Sequence, residues 1–156
     1  MLFVECNADE KLVYCLGVRR QYVRHAKCKG EVLNRLRQQE AGIGLIDEDP
    51  RAAQPSELSR YREVRREGGL ILLEGTDRSD RRVIVLCPRL EEWLYHRAAA
   101  CEVEPQEYGL ARSAHELKRI PRYETKGRFA EFVRQLAQSD GEVALLQTWL
   151  REFTAP

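Results

Sequence analysis

Residues 42–50, Gly-Ile-Gly-Leu-Ile-Asp-Glu-Asp-Pro, constrain the fold more than any other stretch of the chain. A mostly apolar run passes straight into two acids one position apart, and a proline closes the segment. A strand buried on both faces of a parallel sheet reads as a short apolar run, and proline cannot extend a strand ladder. Asp47 and Asp49 are therefore expected at the carboxyl end of a central strand, the edge at which open α/β sheets bind ligands. With one residue between them, both side chains should lean to the same side, and like charges that close favour a cation. Hard carboxylate oxygens suit magnesium or manganese. A solvated acidic turn is the competing reading of the same residues.

The flanking segments supply the rest of an α/β pattern. Residues 2–4 read as a short apolar strand ending at Glu5. Asp9-Glu10 opens a helix, with Asn7 or Asp9 as cap, and Gly17 stops it. Residues 21–27 fit a second, edge strand, and residues 30–39 a helix with Val32, Leu33 and Leu36 inward. With the strand at 44–46 this makes β-α-β-α-β, the pattern of a parallel sheet. Beyond the polar loop 49–54, residues 56–67 read as a helix capped by Ser56. Residues 70–74 and 83–87 read as strands, and Pro88 begins a helix in which Leu90, Trp93, Leu94, Arg97, Ala98 and Cys101 follow helical spacing.

The last third reads as purely helical. Ser113-Ala114-His115-Glu116 fits a capping box. Phe129, Phe132, Val133 and Leu136 form one apolar stripe, and Val143, Leu146, Trp149, Leu150 and Phe153 form another. The expected division is an α/β core over residues 1–103 and a helical extension over 104–156, packed on the same domain. The stripes fit a cap on the sheet, a homo-oligomer surface or a docking site alike.

Composition narrows the function classes. Hydrophobic residues at 43% and charged residues at 33% predict a globular protein with no membrane-spanning run. The start Met1-Leu2-Phe3-Val4-Glu5 lacks the basic and long apolar parts of a secretory leader. The five cysteines are an odd number with no Cys-x-x-Cys pair, which fits reduced thiols and a cytoplasmic location. Of 26 basic residues 21 are arginine, although the net charge is only +1. Arg19, Arg20, Arg24, Lys27 and Lys29 occupy a stretch without acids, which can track phosphates or be an ordinary solvated surface. Lys29 stands beside Gly30 at a helix start, where an anion is favoured and where it can hold a phosphate. His25, His96 and His115 share no ligand spacing.

A strand ending in Glu5, Asp9 at the following helix start and a later strand ending in Asp47-Glu48-Asp49 together resemble the Toprim domain. The resemblance covers about residues 2–101, with Asp47 standing 42 residues after Glu5. It is nearest in motif to the nucleases of the old (overcoming-lysogenization-defect) family, in a small stand-alone form. Cys6 stands where family members usually carry glycine, and the glycine common after the second aspartate motif is missing, with Pro50 in its neighbourhood. The resemblance implies a four-stranded parallel sheet flanked by helices. It also implies magnesium or manganese held by Glu5, Asp9, Asp47, Asp49 and, through a proline-then-glutamate element, Glu91. The implied activity is nuclease cleavage of phosphodiesters with Glu5, Asp47, Asp49 and Lys29 as catalytic groups, on DNA more than RNA. A separate ATPase partner and a role in phage defence follow from old-family habit. A non-catalytic nucleic-acid or protein binding module with the same fold is the alternative.

Overall fold

Leu2, Phe3 and Val4 are all buried, which places the strand they form, β1 (Leu2–Val4), inside a sheet and not at its edge. The computed structural model describes residues 1–78 and 80–155. Among them β1 pairs in parallel with β2 (Val23–His25) on one side and β3 (Gly42–Asp47) on the other. Next to β3 lies β6 (Arg81–Leu86), also parallel. Then come β5 (Leu70–Gly75) and β4 (Tyr61–Glu67), both antiparallel to their neighbours. The strand order is β2-β1-β3-β6-β5-β4, a six-stranded mixed sheet flanked by helices. The four-stranded sheet that the Toprim resemblance implies is thus corrected: four parallel strands are present, and an antiparallel pair extends them.

Side-chain alternation makes two apolar layers of this sheet. Leu2, Val4, Ile43, Leu45, Ile84 and Leu86 face one way. They pack with α1 (Asn7–Cys15), α3 (Leu90–Ala100), α5 (Phe129–Ser139) and α6 (Gly141–Thr154). Phe3, Ile46, Val83 and Val85 face the other way, against Val32, Leu33 and Leu36 of α2 (Lys29–Arg37). Gly44 is what lets α2 lie so close: a β-carbon there would come within 2.8 Å of Val32 Cγ1. The C-terminal helices share one continuous core with the sheet, since Phe132, Leu136, Leu146 and Leu150 belong to the same buried cluster as Leu2 and Leu45. A polar clasp supports that packing. Glu142 accepts from Trp93 Nε1 at 3.0 Å and from Gly69 N at 3.3 Å, and pairs with Arg97 at 2.9 Å.

The helix that residues 56–67 predict does not form. A 3₁₀ turn (Ser56–Arg60) leads instead into β4, whose residues are almost all exposed. Arginine and glutamate favour helix locally, but the apolar β5 offers a ladder, and pairing overrides a weak propensity. The register shifts between Glu63 and Arg65, and charges along an outer strand deter pairing with another chain. Two boundaries also move. The residue capping α1 is Cys6, and α3 starts at Leu90 behind a cis Cys87–Pro88 peptide, not at the proline. Among the described residues no helix is long and apolar enough to cross a membrane.

Phe132→Ala should cost about 3–5 kcal/mol and should lower the urea midpoint seen by tryptophan fluorescence and by far-ultraviolet circular dichroism together. Two separate transitions would show that residues 104–155 fold independently of the sheet.

Candidate functional site at the carboxyl edge of the sheet

Because β1, β3 and β6 are adjacent and parallel, the residues following each of them emerge side by side. Glu5 leaves β1 half-buried, and its Oε1 accepts the Asp47 N–H at 2.9 Å. The next residue, Cys6, has extended backbone (φ −141°), so the chain turns into α1 there without needing glycine. Asp9 then folds back: its Oδ2 accepts the Cys6 N–H at 3.1 Å and the Cys6 thiol at 3.2 Å, capping the helix. Asp9 is 3% exposed, so its carboxylate is buried against its own helix start.

Asp47 is the last residue of β3, and its Oδ1 accepts the Leu90 N–H at 3.0 Å, at the N-terminus of α3. The strand geometry that would align Asp49 with Asp47 ends there. Asp49 adopts a left-handed conformation (φ 46°), and its N–H donates to the Pro88 carbonyl at 2.9 Å. Its carboxylate turns to Arg89, accepting from Nη2 at 2.8 Å and Nε at 3.0 Å. The pair of like-oriented acids expected from Asp-x-Asp is therefore replaced by an ion pair at the rim. Glu91, in the first turn of α3, is half-buried and accepts the Tyr123 hydroxyl at 3.0 Å. Lys29 stands in the first turn of α2, where Nζ donates to the Glu48 carbonyl at 2.8 Å and to Gln54 Oε1 at 3.1 Å.

The electrostatics distinguish an inner group from this rim. Burial pushes Asp47 up to about 8, reinforced by the charges of Asp9, Glu5 and Glu91. Burial also lifts Asp9 to about 7 against its bonds to Cys6, with Glu5 and Glu91 adding to the rise. Glu5 is raised by burial, although the Asp47 N–H and Lys29 oppose the shift. Burial, then Glu91, raises Tyr123 far above the ordinary phenol range, so it stays a donor. Glu5, Asp9, Asp47 and Glu91 thus repel one another in a shared low-dielectric space. Asp49 and Lys29 flank them, and both still act on Glu5.

All four inner groups offer hard oxygen donors, which fits magnesium or manganese in kind. Among the described residues, however, no three His, Cys, Asp or Glu side chains are grouped closely enough to hold a metal ion as they stand. Two partners of the site escape a reading of the sequence. Arg89 lies beside the motif residues, but only the left-handed turn at Asp49 brings the pair together. Tyr123 comes from 32 positions beyond Glu91, and no local pattern links them. No family model, no curated protein and no solved structure matches this chain.

The raised carboxyls couple stability to pH. From their ordinary values of 3.8, Asp9 and Asp47 rise to about 7 and about 8, so the folded chain keeps protons that the unfolded chain releases near pH 4. Their contribution is fully present below that unfolded value and is lost as pH rises through 7 to 8. In chelator, the melting temperature of the wild type should fall from pH 5 to pH 8.5. Asp47→Asn should flatten this fall and melt higher than the wild type at pH 8.5. Parallel melting curves across the range would contradict the assigned burial of Asp47.

Proposed function

We propose that this protein hydrolyses phosphodiester bonds of nucleic acid with magnesium or manganese, as a stand-alone Toprim-like nuclease. The observation that carries the reading is the convergence of Glu5, Asp9, Asp47 and Glu91 at the carboxyl edge of the parallel strands, where Asp47 and Asp9 are pushed up to about 8 and about 7. Four mutually repelling carboxylates are a poor arrangement for stability and a good one for a divalent cation. Glu5, Asp47 and Glu91 would hold the ion, with Asp9 behind them and Asp49 drawn in from its pair with Arg89. When bound, such an ion neutralises charge developing on a phosphodiester and lowers the pKa of a bound water.

The chain's own groups would do the remaining work. Glu5, held by the Asp47 N–H, would accept a proton from an attacking water. Among the described residues Lys29 is bonded to a carbonyl and an amide oxygen and to no carboxylate, leaving its charge to meet a phosphate. Arg89 is a second cation at the N-terminus of α3, an end that favours anions. DNA is the favoured polymer. The separate ATPase partner and the role in phage defence rest on the old-family resemblance.

A second reading is a non-catalytic binding module. The Asp49–Arg89 ion pair, and the lack of a tight three-ligand group among the described residues, favour it, since a site that has lost its cation would settle this way.

A cleavage assay in manganese, magnesium and chelator separates the two readings, using supercoiled plasmid, single-stranded DNA and structured RNA. Metal-dependent cutting is expected from the wild type, and Glu5→Gln should slow it by about 10²–10⁴-fold. Manganese should also raise the melting temperature of the wild type but not of Asp47→Asn. A metal-dependent shift without cutting would keep the metal site and point to an absent activating partner, whereas the absence of both shift and cutting would overturn the metal site and leave the binding module.

A further inference from the structure

A wide cleft lies outside the carboxylate group but begins beside it. It has a volume of about 720 Å³, and it runs along the outer face of α1 from Asn7 towards Arg19 and Arg20. Its opposite wall is the turn at Arg122, Glu124 and Thr125. Both walls are joined to the carboxylate site. Asn7 stands two positions before Asp9, and Tyr123, between Arg122 and Glu124, donates to Glu91.

The chemistry of the cleft is cationic and aromatic. Lys11, Arg19, Arg20 and Arg122 line it. Among the described residues none of the four is ion-paired with an acid. Of the two acids in the lining, Glu10 is bonded to the Tyr14 hydroxyl and lies 4.0 Å from His25, and Glu124 is 7% exposed. The Arg20 guanidinium sits 5.4 Å from the centre of the Tyr14 ring, so a planar cation and an aromatic plane form one platform in the groove. Unpaired cations that follow a groove track a phosphate backbone. A half-buried aromatic ring beside an exposed arginine plane is useful only to bases that are not stacked in a duplex.

We propose that this cleft is the path of a single nucleic-acid strand, with Lys11, Arg19, Arg20 and Arg122 on its phosphates and Tyr14–Arg20 under a base. Delivery of the strand to Glu5, Asp47 and Glu91 rests on the nuclease reading above; binding of the strand does not. The basic stretch 18–30 is thereby divided. Arg19 and Arg20 serve the cleft, while Arg24 is held by the Gln21 and Val23 carbonyls and Lys29 lies on the other flank of β3.

The test is fluorescence anisotropy in chelator with labelled oligo-dT and oligo-rU and a duplex of equal length, over a salt series. Arg19→Glu/Arg20→Glu is compared with Arg62→Glu/Arg65→Glu, the same charge change on the far edge strand β4; all four residues are exposed. Single strands should bind with a log–log salt slope, and the cleft double variant should weaken them by about 10-fold or more and flatten the slope by roughly 1.4, for two lost phosphate contacts. Tyr14→Leu should weaken binding by about 10-fold with little change in slope. Equal affinity for oligo-dT and oligo-rU would assign recognition to phosphate and base alone, and a preference for oligo-rU would add the 2′-hydroxyl. Equal loss in both double variants, tighter binding of duplex, or no binding at low salt would overturn the proposal. In manganese, wild-type cutting by Arg19→Glu/Arg20→Glu would remove the cleft and leave the nuclease reading standing. Strand binding through the cleft without any cutting would do the reverse.

Discussion

Asp47 is held from both ends, and the edge of the sheet is assembled around it. Its N–H goes to Glu5 at the end of β1, and its carboxylate takes the Leu90 N–H at the start of α3. Two hydrogen bonds thus tie together the ends of three neighbouring parallel strands, β1, β3 and β6. The second also satisfies an orphan donor of a helix N-terminus. Parallel pairing fixes the side of the sheet on which these groups gather, and the clasp at Asp47 fixes their spacing.

That clasp is in tension with its surroundings. Asp47 and Asp9 accept bonds that favour the charged form, yet burial, with the charges of Glu5 and Glu91 beside them, pushes both well above the usual carboxylate range. A purely structural acid at either position would be better replaced by a neutral residue of similar shape, because an unpaired buried charge is destabilising. Functional sites are where such conflicts with stability are retained. The Asp49–Arg89 pair shows the ordinary solution, a half-buried acid meeting a cation, two residues away.

Much of this edge was legible in the sequence because it depends on local patterns. A short apolar run ending in acid placed Glu5 and Asp47 at strand ends, and the alternation of helix and strand implied that those strands are parallel. The errors lie where local pattern competes with pairing or turn geometry. Residues 61–67 carry helix-forming side chains but complete a ladder along β5. Asp49 obeys strand alternation only if the strand continues, and it stops at Asp47. Tyr123 and the Arg122 wall of the cleft depend on contacts made across the packed core, which no window of sequence contains.

The C-terminal helices therefore do more than cover apolar surface. Phe129 stacks edge-on against Tyr123 with ring centres 5.8 Å apart, and Phe129 is itself buried in the common core. The core thus fixes the tyrosine ring, the tyrosine hydroxyl orients Glu91, and the same turn turns Arg122 outward beside α1. One segment sets the position of an inner carboxylate and completes a cationic wall. Any shift in how α5 packs on the sheet would move both together, so the carboxylate edge and the cleft are mechanically one unit.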